Sequence, residues 1–276
     1  MVLFLHLLAM GQYVPQRQIV FIHGILSGPG EMHDWMQEAQ KRSITALAPN
    51  IGRGALDSIL LDPGVQCVLL AKEIQEWAVP GIPLALVGFS QGGLLARCVV
   101  EEGLVPQVSH LITIATPNMG VYFRWCPMCV IPRYGVDPHN FTHYIDTSTF
   151  LAPLNNQGPK ARSYRKTRMT ELKMLGAVWS TLDAIVVPPQ SAAYSYYDNS
   201  YPPVLIPLRD SQWYRKDSLG IKELNCRKAL KIVSVKCPHA SIAQKECMEL
   251  PVYGDDGENV SLSLTEWVFG FMHNLV

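Results

Sequence analysis

The sequence predicts the α/β class, with a mainly parallel central sheet that carries helices on both faces. Two observations favour this class. Short apolar segments of strand length alternate with longer segments in which apolar residues recur at helical spacing, and this alternation is typical of a covered parallel sheet. The 276 residues are 48% hydrophobic and 17% charged, so the chain can build a large core and is unlike a disordered protein.

The individual elements are predicted from local pattern. Apolar runs bounded by turn residues predict strands, and the run at 84–89 is apolar enough to be buried on both faces of a sheet. Apolar residues at helical spacing predict the helices. The predicted strands are 18–22, 44–48, 84–89, 108–115 and 229–235, and the predicted helices are 31–41, 65–78, 91–102 and 262–274.

The alternation breaks after Gly120 and resumes over 170–187. Segment 121–157 is rich in aromatic residues, Pro and Cys, and it has no strong period. We expect it to cover the carboxyl edge of the sheet, where ligand pockets form in open α/β folds. The predicted organisation is a single domain at 12–276 with a cap-like insertion at about 121–175.

The segment Gly88-Phe-Ser-Gln-Gly-Gly93 follows a predicted strand and opens a helical pattern. Gly-x-Ser-x-Gly in this context is the nucleophile elbow of the α/β-hydrolase fold, where a strained turn exposes the serine hydroxyl. A Cβ at Gly88 or Gly92 is expected to collide with the neighbouring strand or helix. The segment therefore predicts an α/β-hydrolase fold with Ser90 as the nucleophile. The alternative is a Gly-rich turn after a buried strand.

A serine nucleophile needs a base, and the base needs an acid to orient it. In this fold the chain order is Ser, acid, His. Asp183 is the preferred acid because it lies in an apolar, strand-like segment just before a Pro-bearing loop. Its rivals are Asp198, Asp210 and Asp217. Asp217 opens what looks like a capped turn, which favours a structural role.

Only His239 and His273 follow Asp183 in the sequence. His239 comes after a predicted strand and a short loop, which is where the fold places its base. His273 lies in the predicted last helix, where a lone histidine is more typical of the surface or the core. We therefore predict that His239 is the base.

An oxyanion hole needs two backbone N–H groups that point at the developing negative charge. One is expected from Gln91, directly after the nucleophile. The other is expected from Ile25, in the loop that follows the first strand, where Gly24 lets the backbone turn. His23 precedes the acid in the chain, so we interpret it as a support for this loop.

The predicted cap offers apolar side chains that suit an apolar substrate groove. The candidates are Met119, Val121, Tyr122, Phe123 and Trp125, followed by Met128 and Val130. Ordinary core packing explains these residues equally well.

Charge and cysteine spacing exclude several classes of function. The formal net charge is zero and no long basic run is present, so nucleic-acid binding has no support. Cys126-Pro-Met-Cys129 has zinc-like spacing but no second ligand pair of matching kind, so no metal site is expected. The predicted chemistry needs neither a metal nor an organic cofactor.

Several features point to the secretory pathway. Residues 1–11 resemble a possible signal peptide, and the alternative is an ordinary first strand. They are too short to span a bilayer, so no stable membrane insertion is expected. Asn140 and Asn259 begin N-glycosylation sequons. Of the seven cysteines, Cys126 with Cys129, or Cys237 with Cys247, are plausible local disulfides in an oxidising compartment.

With these residues identified, the chain resembles the palmitoyl-protein thioesterases from about Ile19 to the last helix. The matching segments are Val20-Phe-Ile-His-Gly24, Gly88-Phe-Ser-Gln-Gly-Gly93, Phe150-Leu-Ala-Pro-Leu-Asn155, Thr181-Leu-Asp183-Ala-Ile-Val186 and Asp217-Ser-Leu-Gly-Ile-Lys222. The resemblance implies that Ser90, Asp183 and His239 are nucleophile, acid and base, and that Ile25 and Gln91 donate to the oxyanion.

The chain also departs from this family in two places. A long stretch, 243–261, separates His239 from the last helix, where the family has a shorter join. Cys67 has a counterpart in the family, but the position expected for its disulfide partner is occupied by Gly103. The resemblance therefore implies no partner for Cys67 at that position.

The resemblance implies a lysosomal or secreted enzyme that removes long fatty acyl groups from cysteine thioesters. The expected substrates are S-acylated proteins or peptides, or molecules like acyl-CoA. A lipase or carboxylesterase that acts on oxyesters remains an alternative, because both reactions use the same catalytic groups. A catalytically inactive acyl-binding protein with this fold is the alternative from another class.

Overall fold

The computed structural model describes residues 17–122, 134–255, 257 and 259–271. Its strands are β1 (Gln18–Ile22), β2 (Thr45–Leu47), β3 (Leu84–Phe89), β4 (Val108–Ile114), β5 (Met174–Ser180), β6 (Tyr196–Tyr197), β7 (Leu205–Ile206), β8 (Leu230–Val235), β9 (Pro251–Gly254) and β10 (Asn259–Ser263). Its α-helices are α1 (His33–Lys41), α2 (Asp57–Leu60), α3 (Pro63–Trp77), α4 (Gln91–Glu101), α5 (Phe141–Thr147), α6 (Leu151–Leu154), α7 (Ser163–Thr170), α8 (Gln212–Arg215), α9 (Ile221–Cys226), α10 (Lys245–Met248) and α11 (Leu264–Gly270).

Eight of these strands form one sheet in the order β10-β9-β8-β5-β4-β3-β1-β2. The pairs from β2 through β8 are parallel, whereas β9 and β10 are added antiparallel at one edge. Because the inner strands run in one direction, the loops that follow β1, β3, β5 and β8 meet at the same edge. The predicted α/β-hydrolase fold with a mainly parallel sheet is confirmed.

The sheet is buried because successive side chains of its central strands enter two different core layers. Leu84 and Leu86 of β3 belong to the layer that contains α3 and α4. Ala85 and Val87 belong to the opposite layer, with Trp35 of α1 and Phe269 of α11. Every residue of β1 and of β3 is buried, which explains why their apolar runs lack a polar face.

Two helix starts show how local sequence sets the element boundaries. Asp62 precedes α3 and accepts from Gly64 N at 2.7 Å, with Pro63 in the first turn. Ser263 and Glu266 form a capping box at the start of α11. The prediction of a final helix from 262 was wrong by two residues, because Ser263 ends β10 and caps the helix.

The prediction that Asp183 lies in a strand-like segment was also wrong. β5 ends at Ser180, and Asp183 lies in the loop that follows it. The Asp183 carboxylate accepts from Ile185 N at 2.8 Å and from Val186 N at 2.9 Å. These bonds require a backbone turn directly after Asp183, and an extended strand contains no such turn.

The connection from β4 to β5 contains α5, α6 and α7. Residues 123–133 of this connection are outside the described residues, so the predicted cap-like insertion stays a prediction. Among the residues that the structure describes, no helix has the length and apolar character needed to cross a bilayer.

Two disulfides are present in the described part of the chain. Cys237 pairs with Cys247, as the sequence suggested. Cys67 pairs with Cys98 and joins α3 to α4. The partner of Cys67 is therefore not at position 103, where the resemblance placed it, but on the face of α4 that packs on α3. Residues 1–11 and the Cys126–Cys129 pair are outside the described residues.

Candidate active site

Ser90 lies on the sharp turn between β3 and α4. Its backbone has φ 52° and ψ −124°, which a residue other than Gly adopts only when its surroundings impose it. The Ser90 N–H donates to Ile114 O at 2.8 Å, which ties the turn to the end of β4. The side chain is 7% exposed. The turn therefore presents one hydroxyl at the carboxyl edge of the sheet.

The glycines around Ser90 are required by space. A Cβ on Gly88 would lie 2.4 Å from Gly93 Cα, and a Cβ on Gly92 would lie 2.3 Å from Ile22 O. Both distances are far below van der Waals contact, and both involve backbone. The structure therefore agrees with the steric reason for these glycines: Gly88 adjoins the following helix, and Gly92 adjoins the end of β1.

His239 and Asp183 complete a hydrogen-bonded chain with Ser90. His239 Nε2 lies 3.0 Å from Ser90 Oγ, and His239 Nδ1 lies 2.6 Å from Asp183 Oδ2. His239 opens a 3-10 helix (His239–Ser241) after β8, and its ring packs 5.2 Å from the ring of Phe89. Three residues that are far apart in the sequence thus meet at one edge of the sheet.

The orientation of this chain fits a serine nucleophile. Asp183 Oδ1 is occupied by the two backbone N–H groups of its own loop, so Oδ2 is left to accept the Nδ1 proton of His239. That contact selects the tautomer in which Nε2 is the acceptor. Nε2 can then take the proton of the Ser90 hydroxyl as the oxygen attacks. The catalytic roles themselves stay predictions.

The rival acids make other contacts. Asp198 accepts from Ser200 N and Val204 N. Asp217 accepts from Lys222 N at 2.9 Å and pairs with Lys166 at 2.8 Å, as expected for a structural turn. Asp210 is exposed at the end of a 3-10 helix. The rival base, His273, is outside the described residues.

The two predicted oxyanion donors belong to segments that adjoin Ser90: Gln91 follows it in the chain, and a Cβ on Gly24, which precedes Ile25, would lie 3.2 Å from Ser90 Cβ. Gly24 N donates to Glu31 Oε2 at 2.7 Å and Leu26 N donates to Ser58 Oγ at 2.8 Å. The N–H of Ile25 lies between these two anchored groups, and no described acceptor is assigned to it. Gln91 is the first residue of α4, where a helix leaves its N–H groups free.

His23 is 2% exposed, and its Nδ1 lies 2.9 Å from Gly24 O. This contact lies within the loop that carries Ile25, which fits the interpretation of His23 as a support for that loop.

The predicted acyl-binding residues do not form one set. Met119 and Tyr122 line an apolar pocket together with Val136, Pro138, Phe141, Tyr144 and Tyr197. Val121 does not line this pocket, and both Val121 and Met119 pack in the core layer of α3 and α4, which fits the alternative of core packing. Phe123 and Trp125, with Met128 and Val130, are outside the described residues.

Sequence reasoning missed residues that act through long-range contacts. Ser180 Oγ donates to Cys237 O and accepts from Leu182 N, so it joins the loop of Asp183 to the loop of His239. Ser58 contacts the backbone beside Ile25 and the side chain of Gln91. No local pattern marks either serine, because their partners are distant in the sequence.

Comparison with known proteins places this site in a family. A sequence model described as Palmitoyl protein thioesterase matches residues 18–239, a range that includes Ser90 and Asp183 and ends at His239. Palmitoyl-protein thioesterase 3 of Dictyostelium discoideum is 28% identical over 246 residues, which cover 81% of this chain and 85% of the relative. Lysosomal thioesterase PPT2-B of Xenopus laevis is 26% identical over 256 residues, which cover 80% and 85%. Since the family match spans most of its length, this chain belongs to the palmitoyl protein thioesterase family.

Proposed function

We propose that this protein is a serine hydrolase that cleaves long-chain fatty acyl thioesters, with S-acylated proteins or peptides as its substrates. One observation carries the proposal. In a chain of this family, an elbow serine, a histidine and a buried carboxylate form a continuous hydrogen-bonded chain, with contacts of 3.0 Å and 2.6 Å.

The proposed reaction has two halves. His239 Nε2 takes the proton of Ser90 while Oγ attacks the thioester carbonyl carbon, and the N–H groups of Ile25 and Gln91 stabilise the oxyanion. When the tetrahedral intermediate collapses, the C–S bond breaks and the sulfur leaves with the proton from His239. Water then attacks the acyl-enzyme with His239 as base, and the fatty acid leaves while Ser90 regains its proton.

The substrate class rests on the family. The names of the relatives describe palmitoyl-protein and lysosomal thioesterases. The pocket lined by Met119 and Tyr122 is bordered mainly by apolar and aromatic side chains, which suit an acyl group better than a polar one. Its cavity of about 20 Å³ is far too small for a long acyl chain, so the pocket does not assign the substrate.

We place the protein in the lysosome or in the secretory pathway. The disulfides Cys67–Cys98 and Cys237–Cys247 suit an oxidising compartment. The two sequon asparagines, Asn140 and Asn259, are exposed, as glycosylation requires. The family relatives named lysosomal thioesterases support the same location.

The test compares hydrolysis of a palmitoyl thioester with hydrolysis of the matching oxyester. We expect the parent to hydrolyse the thioester, and Ser90→Ala to lose turnover and labelling by a fluorophosphonate. Ser109→Ala is a matched control, because Ser109 is a half-buried serine at the start of β4, on the opposite edge of the sheet.

Each alternative predicts a different result. A lipase or carboxylesterase would cleave the oxyester faster than the thioester. If the protein is an inactive acyl-binding protein, the parent and Ser90→Ala would bind palmitate equally well, and neither would hydrolyse the thioester. Labelling of Ser109→Ala at the parent rate would show that loss of labelling in Ser90→Ala is specific.

A further inference from the structure

Ser58 is a buried residue of the one-turn helix α2, and it contacts the loop that carries one oxyanion donor. Its side chain donates to Ala55 O at 2.6 Å and accepts from Leu26 N at 2.8 Å. Leu26 directly follows Ile25 and has φ 59°. A leucine adopts this left-handed conformation only when its surroundings hold it, and the bond to Ser58 is one such restraint.

The backbone carbonyl of Ser58 contacts the second donor residue. Gln91 Nε2 donates to Ser58 O at 3.0 Å and to Gln66 Oε1 at 3.0 Å. These bonds occupy the side-chain amide of Gln91, so the backbone N–H of Gln91 is the group that is left for the oxyanion. Ser58 therefore contacts both donor segments. Its hydroxyl accepts from the N–H of Leu26, next to Ile25, and its carbonyl accepts from the side chain of Gln91.

The surrounding network leaves the Gln91 amide one orientation. Gln66 Nε2 donates to Ser58 O at 3.2 Å and to Leu61 O at 2.9 Å, so Gln66 Oε1 is an acceptor. Tyr134 Oη donates to Gln91 Oε1 at 3.2 Å, and burial raises the pKa of Tyr134, so the phenol stays protonated. Each amide donor meets an oxygen. Rotating the Gln66 amide would turn its NH2 group towards Gln91 Nε2, and rotating the Gln91 amide would turn its oxygen towards Ser58 O and Gln66 Oε1.

We propose that Ser58 is a positioning residue for the oxyanion hole, which holds the N–H groups of Ile25 and Gln91 at a fixed separation. The proposal rests on the proposed function, because it assigns these two N–H groups to the oxyanion. Ser58 does not touch the substrate. Its effect is preorganisation: the donors already point at the position of the oxyanion before the charge develops, so no reorganisation is needed during the reaction.

The test uses substitutions that separate the hydroxyl from the volume of the side chain. Ser58→Ala removes the acceptor for Leu26 N, whereas Ser58→Thr keeps it. Removing an oxyanion donor costs about 10²- to 10³-fold in kcat. Displacing one costs less, so we expect Ser58→Ala to lower kcat about 10- to 100-fold with KM changed less than about threefold. Ser58→Thr should stay within a few-fold of the parent, as should the distant control Ser109→Ala.

Two further measurements do not depend on thioester turnover. The rate of Ser90 labelling by a fluorophosphonate should fall with kcat in Ser58→Ala, because the phosphoryl oxygen occupies the oxyanion hole. Hydrogen exchange at the Leu26 amide should become faster in Ser58→Ala. If Ser58→Ala fails to fold, Ser58→Cys takes its place, since a thiol of similar size is a weaker acceptor.

The outcomes distinguish this proposal from the proposed function. A parent that is labelled but does not hydrolyse the thioester overturns the thioesterase assignment, and the labelling rates of the variants still decide the role of Ser58. Parent-like labelling and exchange in Ser58→Ala, or equal losses in Ser58→Ala and Ser58→Thr, would overturn the positioning role. If the parent is not labelled at all, the exchange rate of Leu26 decides.

Discussion

Two buried side-chain pairs in this molecule each join a nitrogen donor to a carboxylate, but they lie in different surroundings. The His239–Asp183 pair has a contact of 2.6 Å, and the Arg97–Glu101 pair has a contact of 3.0 Å. The second pair is completely buried, whereas the His239 side chain is 9% exposed. One nitrogen of His239 is left facing the Ser90 hydroxyl.

All the other donors of Arg97 point into the protein. The guanidinium donates to Asn118 O and Oδ1, at 3.2 Å each, and to Asn155 Oδ1 at 2.9 Å, and it lies over the ring of Tyr194. It therefore joins α4 to the loop after β4 and to the end of α6. The comparison teaches that burial and pairing alone do not make an active site. What distinguishes His239 is a ring nitrogen, Nε2, whose lone pair faces the Ser90 hydroxyl.

The largest expected effect comes from removing the base. We expect His239→Ala to lower kcat on the order of 10⁴- to 10⁶-fold, because Ser90 then has no group to take its proton. The measurement is thioester hydrolysis by the purified, folded variant. His33→Ala is the matched control, since His33 is exposed on α1 and should leave the rate unchanged. A His239→Ala enzyme that keeps more than about 1% of the parent rate would overturn the base assignment.

Replacing the acid tests whether the carboxylate orients the base. Asp183→Asn keeps the size of the side chain and an oxygen for the N–H groups of Ile185 and Val186, but it disturbs the Nδ1 contact of His239. We expect kcat to fall by about 10³- to 10⁴-fold with little loss of stability. Asp198→Asn is the control, because Asp198 also accepts backbone N–H groups in its own loop. Equal rates for the two variants would show that Asp183 is not the acid.

The sequence predicted the parts of the fold that depend on local pattern. The bounds of β1 and β3 agree with the structure, because strands buried on both faces read as uninterrupted apolar runs. The elbow was also predictable, since its glycines are required within six residues of chain. The chain order of the hydrolase fold predicted Asp183 and His239 as acid and base, and the structure brings both side chains into one hydrogen-bonded chain with Ser90.

Other features depend on contacts that a local pattern does not contain. Asp183 was assigned to strand-like chain because its neighbours are apolar, and the turn made by its own carboxylate was missed. The Cys67–Cys98 disulfide depends on how α3 packs on α4. Arg97 lies within the predicted helix 91–102, but its partners Asn118 and Asn155 come from other loops. In each case tertiary packing decided the outcome.

Breaking the Arg97–Glu101 pair should affect stability rather than chemistry. Arg97→Leu leaves Glu101, Asn118 and Asn155 buried without their donor, so we expect a loss of about 3–5 kcal/mol in the free energy of unfolding. The rate per folded enzyme should stay within a few-fold of the parent. Urea unfolding measures the loss.

The control for Arg97→Leu is an exposed pair of the same spacing. Lys72 and Glu76 lie 3.8 Å apart and are both well exposed, so Lys72→Ala should cost less than about 1 kcal/mol. Arg97→Leu combined with Glu101→Leu should recover part of the lost stability, because no buried charge then lacks a partner. A double variant less stable than the single one would contradict this account.

The smallest expected effect is a pH dependence of stability at Glu101. Burial raises the pKa of the Glu101 carboxyl from 4.5 to about 7, although Arg97 opposes the shift. Between these values the folded protein binds a proton that the unfolded chain does not. The contribution of Glu101 is therefore fully present below about pH 4.5 and is lost as the pH rises to about 7. The slope should not exceed about 1.4 kcal/mol per pH unit.

His110 acts in the opposite direction, so the difference between parent and variant is the quantity to measure. Burial lowers the pKa of His110 from 6.5 to about 4. As the pH falls, the unfolded chain binds a proton at His110 before the folded protein does, so the contribution of His110 to stability is lost as the pH falls through this range.

His110 is present in both the parent and Glu101→Gln, so its contribution cancels when their unfolding free energies are subtracted. We expect that difference, parent minus Glu101→Gln, to fall between about pH 4.5 and 7 and to be constant above. A difference independent of pH over this range would show that burial does not raise the pKa of Glu101.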